Sequence, residues 1–306
     1  MKFIISIMLS IAVFIFTSAE ALTYNLPATG IDTVGKVQHI RLASGQSLTD
    51  VARKYDIGYY ELVEANPRVN PVHLVNGTPI IIPTRYVLPD APRKGIVINL
   101  AELRLYYYPK DSDKVITMPI GIGRQGWDTP TGTFKITQKI KNPAWHVPKS
   151  IAEDMAQNGV ILPKVVPAGP NNPLGQYAMR LSLPSYLIHG TTVPAGVGRR
   201  VSAGCIRMFP EDIKSLFAMV PSGTPVRIIN EPYKLGYDGK QLVMESHKPL
   251  SEMRHKYSDN LQAIWVDAID HFMAEQKTPT VVNWAQVDAV ARAQMGIPQS
   301  IGYKTA

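Results

Sequence analysis

The sequence predicts an α+β protein: a mainly β central unit, a small strand, helix, helix, strand unit ahead of it, and a helical extension behind. Three observations carry this. Short apolar runs at turn-delimited spacing fill residues 95–230. A compact segment at 36–83 changes from strand to helix period and back. From Glu231 onward the apolar residues recur at helical spacing instead.

Residues 1–21 stand apart from all three. One positive charge at Lys2, an apolar run from Phe3 to Phe16 and the small residues Ala19-Glu20-Ala21 follow the plan of a secretory signal peptide, and the run is too short for a permanent span. No cysteine follows it, which excludes a lipid anchor there, and no later segment reaches the roughly 18 apolar residues of a span. Removing these residues takes away one lysine, Lys2, and one glutamate, Glu20, so the formal charge stays at +8 on a chain expected to be exported. A basic exported protein suits a polyanionic envelope surface and makes nucleic acid a poor partner.

In the 36–83 unit, "VQHIRL" alternates as a strand. "SLTDVARKYD" sets Leu48, Val51, Ala52 and Tyr55 on one helical face, with Ser47 and Asp50 in capping-box spacing and Gly58 as its stop. "YYELVEAN" is a second short helix and "TPIIIP" a closing strand. "TRYVLPDAPRKG" then reads as a Pro-punctuated linker. In the central unit "IVINLAELRLYYYP" forms a hairpin turning near Leu100–Glu102, with Leu103, Leu105 and Tyr107 on one face. "KVITMPIGIG", "GTFKITQKI", "YLIHG" and "TPVRIIN" supply more strands. "PEDIKSLFAMV" is a helix with Pro210 in its first turn and Ile213, Leu216, Phe217 and Val220 on one face. Residues 144–184, rich in Pro, Gly and Asn, form a long loop of the kind that usually serves as a binding loop or lid. In the tail, Leu261, Ile264, Trp265, Ala268, Ile269, Phe272 and Met273 make one helical stripe. "NWAQVDAVARAQMG" makes a second helix between an Asn283 cap and a Gly296 stop.

Several motifs are decoys. "GIGRQG" at 121–126 fits G-x-G-x-x-G after a strand, but Pro130 and Gly132 forbid the helix that a dinucleotide site needs. "NGT" at 76–78 is a glycosylation sequon by pattern only. H-E-x-x-H, G-x-S-x-G and C-x-x-C are absent, and one cysteine among scattered histidines argues against zinc.

That cysteine, Cys205, is the only one in the chain, so in an oxidising compartment it forms no internal disulfide. His189 precedes it by sixteen residues. A thiol is a nucleophile only as thiolate, and a nearby imidazole can either take its proton or hold the ionised sulfur as an ion pair, so an enzymatic reading depends on that imidazole ionising the sulfur near neutral pH. Gly190 and Gly204 flank the two, and backbone N–H groups around Gly204 and Cys205 could face an oxyanion.

"HGT" at 189–191 followed by "VSAGCIRM" at 201–208 resembles the signature of the L,D-transpeptidases with a YkuD-type catalytic domain. The likeness continues through "IVINLAELRLYYYP", "TPTGTFKI", "NPAWHVPKSI", "GPNNPLGQYAMRL" and "PEDIKSLF", over about residues 95–230. The resemblance implies a YkuD-like β-sandwich with a short helix, Cys205 as acyl-accepting nucleophile, His189 as base and the Gly190 carbonyl as the group orienting its ring. It further implies Ser202, Gly204 and Arg207 at the substrate. Ala203 departs from the family, in which many members carry a second histidine. The 36–83 unit resembles a LysM module through "ASGQSLTDVARKYDI", "LVEANP" and "LVNGTPIIIP", which implies binding of peptidoglycan. The implied reaction moves the acyl group of a tetrapeptide stem, with release of D-alanine, to an amine of a neighbouring stem or of an envelope lipoprotein in the periplasm, with no metal or organic cofactor. Water as acceptor would instead make a carboxypeptidase or a lipoprotein-releasing amidase, and an idle site would make a wall-binding scaffold.

Overall fold

The computed structural model describes residues 21–276 and 278–305, so the expected signal segment lies outside the described residues except for Ala21. Nine strands form the main sheet in the order Leu22–Asn25, Lys114–Pro119, Arg104–Tyr108, Gly95–Asn99, Pro225–Ile229, Gly132–Lys141, Tyr177–Leu181, Leu187–His189, Ile206–Arg207. Gly132–Lys141 joins its two halves: the first residues pair with Pro225–Ile228, and after a register shift between Ile136 and Gln138 the rest pair with Tyr177–Leu181. Such an irregularity bends a strand and lets one sheet fold about a single core. Ile96, Ile98, Leu105 and Met118 from one half meet Met179, Leu181, Ile188 and Ile206 from the other, and helix Pro210–Met219 adds Ile213 and Leu216.

The expected hairpin is present, with Ile96 opposite Tyr107 and Asn99 opposite Arg104. Its second face is not solvated, however, because every residue of Arg104–Tyr108 is buried. Three corrections to the sequence reading explain why. The linker is not a tether: Arg85–Val87 is a strand paired with Thr33–Gly35, and Tyr86 and Leu88 pack on Val97, Tyr106 and Tyr108. The sheet does not begin at residue 95, since Leu22–Asn25 is its edge strand and the 36–83 unit is inserted between two strands of one sheet. The tail is not simply helical: Tyr233–Asp238, Gln241–Ser246, Gln299–Lys304 and Thr280–Val282 form a four-stranded antiparallel sheet. Its face receives the two expected helices, Leu261–Glu275 and Trp284–Ala293, so their apolar stripe meets a core of its own rather than the central β unit.

The 36–83 unit has the expected order. Gln38–Arg41 pairs with Pro79–Ile82 around helices Leu48–Lys54 and Tyr59–Ala65. Ser47 and Asp50 form the capping box, satisfying otherwise unpaired donors at the helix start.

Two buried ionic nodes hold these parts together. Arg104 gives Glu61 a two-pronged bond at 2.8 and 2.9 Å and donates to the Asp56 carbonyl at 3.1 Å. Lys234, from the tail, donates to Glu102 of the hairpin turn and to the Val87 carbonyl at 2.7 Å. Among the described residues no helix is long and apolar enough to cross a membrane.

Candidate active site

Leu187–His189 and Ile206–Arg207 run parallel, with Ile188 opposite Ile206 and His189 opposite Arg207. Parallel neighbours require a crossover connection, and here its last residues are Ser202–Cys205. Cys205 therefore stands just ahead of the paired segment while His189 sits within it. Arg207 also exchanges backbone bonds with Gly121 at 2.8 and 2.9 Å, which fixes the segment from its other side.

The turn that presents the thiol is held internally. Ser202 Oγ donates to the Cys205 carbonyl at 2.5 Å and accepts from the Gly204 N–H at 3.2 Å. Buried Thr129 donates to the Gly204 carbonyl at 2.7 Å and accepts from the Gly123 N–H at 3.1 Å. Gly204 has φ +99°, and a Cβ there would lie 2.9 Å from the Tyr186 ring, so both backbone and space demand glycine. Ser202, expected at the substrate, thus has its hydroxyl committed to the turn. The Gly204 N–H, a candidate oxyanion donor, is taken by that hydroxyl. Among the described residues the Cys205 N–H has no acceptor, which leaves it as the free backbone donor at the sulfur.

His189 is buried, with Nδ1 2.6 Å from the Gly190 carbonyl oxygen. A carbonyl only accepts, so the proton sits on Nδ1 and a neutral ring offers its lone pair at Nε2. Burial, helped by the positive charge of Arg207, pushes the ring down to about 4, against the pull of the Gly190 and Leu174 carbonyls. Burial pushes the Cys205 thiol up, opposed by the Leu187 N–H and by Arg207. Both shifts favour the uncharged groups, a thiol and a neutral base in one cavity, and run against the expectation of an already ionised sulfur.

Arg207 is half-buried, its Nε has no partner, and among the described residues no carboxylate pairs with it. Its charge lies near enough to bias both Cys205 and His189. Cys205, His189, Ser202, Ala203 and Arg207 line one cavity of about 430 Å³. The 144–184 segment also lines it, but that segment is not the featureless loop expected. It contains helix Lys149–Gln157, a short ladder of Trp145–His146 with Val165–Val166, and the sheet strand Tyr177–Leu181. "GIGRQG" leads into no helix, as expected.

Residues 93–228 match the family model of the YkuD-type L,D-transpeptidase catalytic domain. The chain is 46% identical over 248 residues to the probable L,D-transpeptidase YcfS of Escherichia coli K12, covering 79% of this chain and 77% of that protein. It is 45% identical over 240 residues to the probable L,D-transpeptidase YbiS of the same strain, covering 77% and 78%. The putative L,D-transpeptidase YkuD of Bacillus subtilis is 31% identical over 192 residues, 61% of this chain and 96% of that one.

The chain belongs to the L,D-transpeptidases.

In this L,D-transpeptidase, sequence reasoning missed Thr129, Arg124 and Asp154. Thr129 stands inside the quoted "TPTGTFKI", but its bond to Gly204 spans 75 positions and no local pattern announces it. Arg124 and Asp154, 2.8 Å apart, both line the cavity of Cys205. One cluster elsewhere has metal-ligand chemistry: Glu102, Glu245 and His247 offer atoms within 4.8 Å of one another. The Lys234 ammonium already pairs with both carboxylates, at 2.9 Å from Glu245, so the cation that cluster needs is built in.

Proposed function

We propose that Cys205 and His189 carry out a two-step acyl transfer on the tetrapeptide stem of peptidoglycan. His189 Nε2 takes the thiol proton as the sulfur bonds to the carbonyl carbon on the L-centre of the diamino acid, and the oxygen that gains charge faces the Cys205 N–H. Collapse breaks the amide C–N bond, the proton on His189 passes to the departing amine of D-alanine, and the acyl group stays on sulfur as a thioester. An amine then attacks the thioester, His189 accepts its proton, the C–S bond breaks, and the sulfur leaves as thiolate to be reprotonated from the ring. Arg207, unpaired and close to both groups, stabilises the forming thiolate and suits the terminal carboxylate of the donor. Gly190 fixes the ring; Ser202 and Gly204 act by shaping the turn that presents the sulfur.

The observation that carries this reading is the neutral, Gly190-anchored imidazole sharing one cavity with the chain's only thiol. The amine comes from a neighbouring stem or from an envelope lipoprotein. The 36–83 unit serves as a LysM-like module holding the enzyme on glycan, supported by its motif residues and its strand, helix, helix, strand order. The domain reading is 36–83 for that module, 95–230 for the L,D-transpeptidase catalytic domain and 231–306 for the C-terminal extension. Residues 1–21 direct export to the periplasm and are removed.

The test is intact-mass analysis with a tetrapeptide donor and, separately, a carbapenem. A thioester adduct is expected on the native chain and none on Cys205→Ala, and acylation by the stem should fall about 10²–10⁴-fold in His189→Gln. Products from purified sacculi should contain new cross-links or attached lipoprotein; shortened stems alone would shift the reading to hydrolysis.

A further inference from the structure

We infer that Arg124 and Asp154 select the donor by the far end of its diamino-acid side chain, Arg124 taking a carboxylate and Asp154 an ammonium borne on the same carbon. The inference rests on the acyl-transfer reading above and adds a specificity determinant to it.

Arg124 Nη2 lies 2.8 Å from Asp154 Oδ2, and both side chains line the cavity that holds Cys205 and His189. They come from different parts of the chain. Arg124 follows strand Ile122–Gly123, whereas Asp154 belongs to helix Lys149–Gln157, which buries none of its residues. The Arg124 guanidinium carbon lies 4.8 Å from the centre of the Trp127 ring, which supports the planar group. The two side chains keep 39% and 29% of their surface exposed, so a ligand can reach both.

An ion pair this exposed contributes little to stability, so exchanging its partners costs little. A zwitterionic end group supplies one anion and one cation at fixed spacing. It replaces both partners at once, and neither Arg124 nor Asp154 is left unmatched. A lysine side chain brings the ammonium alone, and an amidated diamino acid likewise lacks the anion. Either one would pair Asp154 and strand Arg124, or leave the pair intact and its own ammonium unmatched. The apolar lining from Trp145, Ile151 and Met155 suits the methylene arm between the reacting centre and this end group. Arg207, which interacts with the Cys205 charge, stays with the scissile end.

The experiment measures kcat and KM with three tetrapeptide donors: one with meso-diaminopimelate, one with that residue amidated on its side-chain carboxylate, and one with L-lysine. Native enzyme should prefer the first by about ten- to a hundredfold in kcat/KM, the worth of a charge-assisted hydrogen-bond pair. The loss should fall mainly on KM. In Arg124→Gln and Asp154→Asn the three donors should come within about threefold, because the preferred one falls toward the others. The double variant Arg124→Asp/Asp154→Arg restores an ion pair of reversed polarity and serves as the second variant, with thermal melting to check folding. Its melting temperature should stay close to the native one, and it should not regain selectivity. A native enzyme that treats the donors alike would overturn the inference. So would single variants that lower all donors equally, or a swapped pair that restores selectivity, since each makes the pair only a latch on the helix. Absence of a thioester with every donor would instead fail the function reading itself, and the inference with it.

Discussion

The protonation state of the Cys205–His189 pair can be decided by titrating two reactions of the same sulfur. Burial holds the ring down to about 4 and pushes the thiol up. The fall of the ring from its ordinary 6.5 costs an imidazolium–thiolate pair about 3 kcal/mol at 1.36 kcal/mol per unit, and the rise of the thiol adds to that cost. Only a small fraction of the enzyme therefore carries a preformed thiolate at neutral pH. Iodoacetamide, which requires the thiolate, should therefore alkylate Cys205 slowly at pH 7. Its rate should climb beyond pH 9 with no plateau below. Acylation by a tetrapeptide or a carbapenem, in which His189 takes the proton during attack, should instead have its acid limb near pH 4 and be fully developed by pH 6. His189→Gln should lower acylation about 10²–10⁴-fold while leaving the steep alkaline alkylation limb in place. An alkylation plateau between pH 5 and 8, abolished in His189→Gln, would show a standing ion pair and refute the reasoning.

Three substitutions at buried hydrogen bonds and charges have defined outcomes. Ser202→Ala removes both bonds of the turn hydroxyl and should slow acylation of Cys205 at unchanged fold, with a stability loss of about 1–3 kcal/mol read by urea unfolding. Glu61→Gln leaves the fully buried Arg104 guanidinium without its counter-charge and should cost about 3–5 kcal/mol in the same assay, making it the most damaging of these changes. Asp56 Oδ1 and Asp212 Oδ2 are buried acceptors without donors; burial raises Asp56 to about 6, and burial together with the Asp56 charge raises Asp212 well up. The folded state thus binds a proton that the unfolded chain releases, and stability falls as pH rises from about 4 through 6. Asp212→Asn should raise the melting temperature at pH 7.5, by the equivalent of about 1–3 kcal/mol, with the gain fading below pH 4.

What the sequence disclosed was local chemistry. The "HG" pair and the turn of "VSAGCIRM" carried His189, Gly190, Gly204 and Cys205, and Pro210 with the stripe Ile213, Leu216, Val220 gave a helix whose end differs by one residue. What it hid was long-range burial. Arg104 and Lys234 alternate with apolar neighbours as a solvent-facing strand residue would, and only the covering of the outer face by Tyr86, Leu88 and the tail sheet turns them into buried ionic nodes. Tyr86, Val87 and Leu88 were masked by the prolines on their C-terminal side. The tail hairpin did leave a signal, a two-residue Gly239-Lys240 turn between the alternating runs "YKLGYD" and "QLVME", but the longer helical stripe after it dominated the reading. Ser202 was assigned to the substrate because a motif shows which residue recurs and not which atom it bonds.

The inserted 36–83 unit also bears on how the nucleophile is held. Its helix Tyr59–Ala65 begins with backbone donors that need partners, as every helix does. One of them, the Tyr60 N–H, bonds to the Gly198 carbonyl at 3.2 Å, so the start of the helix rests on the crossover that ends in Cys205. The approach is close enough that a Cβ on Gly198 would lie 2.1 Å from the Tyr59 nitrogen, and Gly198 has φ +71°, so this contact admits no side chain. Arg199, the next residue, stacks its guanidinium 3.5 Å from the centre of the Tyr59 ring, and Arg53 pairs with Glu211 at the start of the helix that follows Cys205. The inserted unit therefore braces the segments on both sides of the nucleophile. A chain threaded out of a sheet, through this unit and back into the same sheet cannot swing as a tethered module does. A displacement of the inserted unit therefore bears directly on the crossover that positions the sulfur.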